Sequence, residues 1–152
     1  MYIYICYILF FDKIDTLSLY NYLLFNMSIF IFAYDHSECS MSTLLLITSA
    51  PTSMMAWHAF GLAQALQNKH EEFRVFFYQD GVQVANDLQW FPDDQRNLKL
   101  EWQKLGIRLP VCVSAALARG ITDASNAQRH SLQQHNLAQG FELVGLGELA
   151  DA

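Results

Sequence analysis

Four short, mainly apolar runs, separated by stretches with helical spacing, divide the chain between Thr43 and its end. They cover residues 44–48, 73–78, 109–113 and 141–146. The first run is continuously apolar, as a strand covered on both faces requires. Strand and helix in repeated alternation predict an α/β fold, with a parallel sheet whose strands are joined by crossover helices.

The helices predicted between these strands begin at polar capping residues or end at glycines. They cover residues 54–68, about 94–105, 114–119 and 124–134, with a helical turn at 82–88 and a last helix from 147. Ser53 is the expected N-cap of the first helix, and Thr122-Asp123 is expected to cap the helix over 124–134. Gly106 is expected to end the second helix in the usual C-terminal manner.

The first forty residues differ in composition from the rest of the chain. They hold six of the seven Tyr and no Gln, whereas all eleven Gln follow Met41. A secretory signal does not fit, because residues 1–11 are apolar without a basic residue and Lys13 comes only after them. A membrane anchor over residues 17–34 nearly has the required length, but Asn21 and Asn26 interrupt it. We prefer to interpret residues 1–40 as upstream translation or a disordered leader, with a domain over 41–152, and keep a membrane anchor as the alternative.

From Met41 onward the chain has eight basic and eleven acidic residues, hence a formal charge of −3. It contains no basic stripe, so direct binding of nucleic acid is not expected. His130 and His135 are five positions apart, which is not the spacing that places two ligands on one helical face. We therefore expect neither a metal site nor a bound cofactor.

Cys112 is the only cysteine after residue 40, and it lies where the third apolar run gives way to a helix-favouring stretch. Helical N–H groups at such a junction favour an anion, and the thiolate is the reactive form of cysteine. A lone thiol in an intracellular protein is a candidate nucleophile or carrier. The alternative is a structural cysteine, because free cysteines are among the most buried residues.

Ligands of parallel sheets collect beyond the carboxyl ends of the strands, where Cys112, Tyr78 and the loop 49–53 are expected to lie. The hydroxyls of this loop suit a phosphate, but it lacks glycines and no Walker lysine follows, so an ordinary capped loop is favoured. A Cys-His-Asn hydrolase would need a base near Cys112, and no histidine lies at a sequence spacing from Cys112 that indicates such a base.

Three segments of the chain resemble the DsrE-like sulfur-relay family. Residues 73–82 with 85–88 resemble its second strand and loop, residues 111–121 its active-site segment, and residues 136–150 the tail of its TusD branch. Together they cover most of residues 41–152, whereas residues 1–40 have no counterpart. The resemblance implies a three-layer α/β sandwich of flavodoxin-like topology, with a parallel sheet of four to five strands and crossover helices.

The resemblance also implies a sulfurtransferase subunit, an enzyme in which Cys112 alone receives a catalytic role. This cysteine would accept a persulfide sulfur from a TusA-like donor and pass it to a TusE-like acceptor, toward 2-thiolation of the tRNA wobble uridine. The implied assembly is a heterohexamer with TusB-like and TusC-like subunits. It would lie in the cytoplasm, without a cofactor, a metal or a membrane.

The chain departs from the family pattern at two places. The connection over residues 102–109 is a few residues shorter than in the family, and the chain ends at Ala152, before the final strand that the family has. Without that strand we expect an uncovered sheet edge, in a fragment or a poorly folding product. Two other functions stay open, namely a DsrE-type subunit of dissimilatory sulfur oxidation and a non-catalytic subunit of a related hexamer.

Overall fold

A computed structural model of the chain describes residues 29–34 and 42–150. Its strands are β1 Ile29–Tyr34, β2 Ser42–Ile47, β3 Phe73–Phe77, β4 Leu109–Cys112 and β5 Phe141–Val144. Its helices are α1 Met54–Asn68, α2 Leu98–Lys104, α3 Val113–Leu117, α4 Ala124–Arg129 and α5 Gly147–Ala150, with a 3-10 helix at Gln79–Ala85. Most of the leader discussed above, residues 1–28 and 35–40, lies outside the described residues.

The strands form one sheet in the order β1-β2-β3-β4-β5, and β2 to β5 are parallel. This confirms the predicted α/β fold with a parallel sheet. Strand β1 runs antiparallel to β2 over six paired positions, from Ile29 opposite Ile47 to Tyr34 opposite Ser42. The sequence interpretation missed β1, because its residues were grouped with the leader. In the structure β1 covers the outer edge of β2, an edge that would otherwise be open to another chain.

The predicted helix boundaries are right where an unambiguous cap is present. Helix α1 covers the predicted residues, and the Ser53 side chain accepts a hydrogen bond of 3.1 Å from the Ala56 N–H. Helix α2 begins at Leu98 rather than near residue 94, because Asn97 is its N-cap. Helix α4 ends at Arg129 rather than at 134, and the chain reverses at Ser131, whose φ is +55°.

The two faces of the sheet follow from the register of its strands. Positions paired across parallel strands share a face, so Phe77 and Val111 lie on one face and Phe76 and Cys112 on the other. The first face packs against α1 and α2 through Trp102, which is fully buried. The Trp102 ring meets Phe60 and Phe77 edge to face, each with a centroid distance of 5.3 Å. Cys112 therefore belongs to the face opposite this aromatic cluster.

Among residues 29–34 and 42–150, no helix is long and apolar enough to cross a membrane.

Candidate active site

Cys112 is the last residue of β4 and the N-cap of α3. The predicted position of the thiol, at a strand-to-helix junction, is therefore confirmed. Helix α3 has only five residues and ends at Leu117 rather than near Arg119. Because so short a helix has few aligned peptide units, it favours an anion at its start less than the sequence interpretation assumed.

The Cys112 side chain is fully buried, which is what the alternative of a structural cysteine expects. All four residues of β4 are buried, as in a parallel strand that is covered on both faces. Beyond the strand, the 3-10 helix packs against both β4 and α3. Ala116 of α3 is also fully buried. In this conformation, a reagent in solution reaches the thiol only after a local movement.

Three segments that the sequence placed together do lie at the same edge of the sheet. Cys112 ends β4, Tyr78 follows β3, and the loop 49–53 follows β2, and these strands are parallel. The Tyr78 N–H donates to the Ile47 carbonyl at 2.9 Å, which fastens the start of the 3-10 helix to the end of β2. In the loop, the Ser53 hydroxyl is used as the cap of α1, which favours the capped-loop interpretation over a phosphate site.

An ion pair between Arg119 and Asp80 joins the segment after Cys112 to the 3-10 helix. Arg119 Nε and Nη2 both donate to Asp80 Oδ1, at 3.0 and 2.8 Å, and Nη1 donates to the Ala115 carbonyl at 3.1 Å. Sequence reasoning missed this pair because its members are 39 residues apart. The available signal was that both residues follow strands ending at the same edge of the sheet.

A second group of polar contacts holds the chain after α3. The Asn136 side chain accepts a hydrogen bond from the Thr122 N–H and donates one to Asn86 Oδ1, both at 3.0 Å. Asp123 is the N-cap of α4, as predicted. Burial raises the pKa of Asp123, but hydrogen bonds from Asn126 and Ser125 outweigh that effect and hold this pKa below its ordinary value.

Because Gly81 has no side chain, the 3-10 helix can pack closely against the end of β2. Its N–H donates to the Thr48 carbonyl at 3.1 Å, and a Cβ added to Gly81 would lie 2.1 Å from the Ile47 carbonyl oxygen. That oxygen belongs to a strand and cannot turn aside as a flexible side chain does. A residue larger than glycine therefore forces the 3-10 helix away from β2.

We expect Gly81→Ala to lower the free energy of unfolding by about 1–3 kcal/mol, the usual cost of overpacking. Urea denaturation followed by circular dichroism measures the change. The matched control is Gly61→Ala inside α1, where an added Cβ meets nothing within 4 Å. This control should stabilise the chain by up to about 1 kcal/mol, because alanine is the better helix former. Similar transitions for the two variants would contradict the close approach at Gly81.

A cavity of about 410 Å³ lies on the same face of the sheet as Cys112, toward the other end of the strands. Its lining residues are Leu44, Phe73, Arg74, Val75, Phe76, Ile107, Arg108, Pro110 and Glu148. Arg108 pairs there with Glu142 and Glu148. The hydrogen bonds that its guanidinium donates, to Glu148 first and to Glu142 second, raise the pKa of Arg108. Cys112 does not line this cavity.

Within the described part of the chain, no group of three or more His, Cys, Asp or Glu side chains suits a metal ion.

Fold and site together define a parallel α/β protein with a buried thiol where the fourth strand of its sheet ends. Residues 41–152 match the model of the DsrE/DsrF-like family. The chain therefore belongs to the DsrE/DsrF-like family, and its Cys112, Asp80 and Arg119 all lie within the matched residues.

Named relatives agree with this assignment. The chain is 45% identical over 115 residues to the "Sulfurtransferase TusD homolog" of Vibrio vulnificus (strain YJ016), covering 72% of this chain and 88% of the relative. It is 47% identical over 105 residues to "Sulfurtransferase TusD" of Klebsiella pneumoniae (strain 342), covering 66% of this chain and 82% of the relative. The crystal structure of the ychN protein from E. coli superposes with a TM-score of 0.56 at 21% identity, covering 71% of this chain and 87% of that one. The similarity to the ychN structure shows the fold alone.

Proposed function

We propose that this chain is a sulfurtransferase subunit that accepts a persulfide sulfur on Cys112 and relays it toward 2-thiolation of the tRNA wobble uridine. Membership of the DsrE/DsrF-like family and relatives named sulfurtransferase TusD support sulfur transfer as the activity. The observation that carries the role of Cys112 is its place at the carboxyl end of β4, inside the family-matched residues. Chemistry in parallel sheets is concentrated at that edge.

The proposed step exchanges one sulfur–sulfur bond for another. The Cys112 thiolate attacks the outer sulfur of the donor's persulfide, forming a bond between Cys112 Sγ and that sulfur. The bond between the two donor sulfurs breaks, and the donor leaves as a thiolate that takes up a proton. Repetition of the step by an acceptor thiolate returns Cys112 to its starting form. No oxidant, metal or organic cofactor is required.

The proposed partners are those that the resemblance to the sulfur-relay family implies. The donor and the acceptor are TusA-like and TusE-like proteins, and the assembly is a heterohexamer with TusB-like and TusC-like subunits. The TusD name of relatives that are 45 and 47% identical favours the tRNA branch over a DsrE-type subunit of sulfur oxidation. A location in the cytoplasm stays a prediction.

The direct test is a mass measurement on the chain after incubation with a persulfidated donor protein. We expect a gain of one sulfur atom, removed by a reducing agent and located by peptide mapping on the peptide that contains Cys112. Cys6 and Cys39 serve as internal controls, because they lie outside the family-matched residues. No gain with a competent donor and the complete set of partner subunits, or a gain on Cys6 or Cys39 alone, would refute the proposal.

A further inference from the structure

We infer that the Arg119–Asp80 ion pair is a latch that keeps the segment after Cys112 closed over a buried thiol. This inference rests on the proposed function, since it concerns access to the same cysteine. The sulfur of a donor protein must touch Cys112 Sγ, yet this side chain is fully buried. Sulfur transfer therefore requires an open form of the protein in which Cys112 Sγ is accessible. The Arg119–Asp80 ion pair stabilises the closed form.

The 3-10 helix is the fixed side of the latch. At its start, the N–H groups of Tyr78 and Gly81 donate to the carbonyls of Ile47 and Thr48, at 2.9 and 3.1 Å. At its end, the Ala85 carbonyl accepts a hydrogen bond of 2.8 Å from the Ala138 N–H. Because both ends are bonded to other parts of the fold, Asp80 is held in place.

The segment 113–120 is the side that moves. It consists of the five-residue helix α3 and a turn that ends at Gly120, whose φ is +72°. The N–H groups of residues 118–120 donate to the carbonyls of residues 114, 116 and 117, so these bonds stay within the segment when it shifts. At the border of the segment, the Ile121 N–H donates to the Ala116 carbonyl. A helix this short has little stability of its own. The contact of Arg119 with Asp80 ties it to the fixed 3-10 helix.

The solvent exposure of the Arg119–Asp80 pair determines how much the pair stabilises the closed form. The Asp80 side chain is 56% exposed and the Arg119 side chain 31% exposed. Pairs of this kind stabilise only modestly and weaken in salt, so breaking this pair should raise the population of the open form by about two- to fivefold. Such a latch is easily released by a partner that supplies its own charge to Asp80 or Arg119.

The test is the rate at which Cys112 reacts with a small disulfide reagent under native conditions. The background is the full chain with Cys6→Ser and Cys39→Ser, so that the signal comes from Cys112. We expect Asp80→Asn to react about two to five times faster than this background. We also expect added salt to accelerate the background chain and to leave the Asp80→Asn variant nearly unchanged.

The matched control is Lys104→Gln, which breaks the 2.8 Å pair between Lys104 and Glu101 on α2. Its Cys112 should react at the background rate. Equal rates for Asp80→Asn and the background, or an equal acceleration by Lys104→Gln, would overturn the latch. The reagent needs no donor protein, so this result is independent of the mass measurement. If Asp80→Asn reacts faster but the chain gains no sulfur from a donor, the latch is supported and the proposed function is refuted.

Discussion

Replacing Cys112 is expected to reduce sulfur transfer from donor to acceptor to the background rate. Cys112→Ala removes the thiol that is proposed to carry the transferred sulfur, and residues 41–152 contain no other cysteine. Alanine is preferred to serine for the main experiment, because an unpaired hydroxyl at this buried position would itself cost about 1–3 kcal/mol of stability. The measurement is the appearance of labelled sulfur on the acceptor protein, with partner subunits present.

The control for this experiment is the chain with Cys6→Ser and Cys39→Ser, which should transfer sulfur at the unmodified rate. Thermal unfolding of Cys112→Ala shows whether the variant keeps its fold, so that loss of transfer can be separated from loss of structure. If a folded Cys112→Ala chain transfers sulfur as well as the unmodified chain, the protein is a non-catalytic subunit of its assembly.

The parts of the fold that sequence reasoning found are those with a strong local pattern. Helix α1 was predicted over its observed residues, because Ser53 and a regular apolar stripe mark it. The parallel order of β2 to β5 followed from the alternation of strands and helices. Strand β1 was missed for a different reason. Its local sequence suits a strand, but the compositional contrast around residue 40 set it apart from the domain.

The site was predictable in its position and not in its surroundings. The junction at Cys112 is visible in the change from a β-branched run to alanines, which is local information. Its burial depends on the 3-10 helix, which reaches β4 and α3 from the end of another strand. The Arg119–Asp80 pair likewise depends on the register of β3 and β4. Contacts between distant segments follow from tertiary packing, which no local pattern records.

Trp102→Ala is expected to be the most destabilising single substitution in the aromatic cluster, at about 3–5 kcal/mol. Trp102 is fully buried and loses two edge-to-face contacts, with Phe60 and Phe77. Each contact contributes about 0.5–1.5 kcal/mol beyond the area it buries. The measurement is the free energy of unfolding from urea denaturation. The matched control is Trp90→Ala, because Trp90 is 80% exposed and its loss should change that energy by no more than about 0.5 kcal/mol.

Trp102→Phe separates the role of ring packing from that of the indole N–H. The Trp102 Nε1 atom is buried without a hydrogen-bond partner among the described residues, so phenylalanine removes an unpaired donor and keeps an apolar ring. We expect Trp102→Phe to retain most of the stability that Trp102→Ala loses. Phe77 pairs with Val111, the residue before Cys112, so loosening this cluster in Trp102→Ala should also quicken the reaction of the thiol with a small disulfide reagent. Equal losses of stability for the alanine variants of Trp102 and Trp90 would show that the cluster does not support β4, and hence does not hold Cys112.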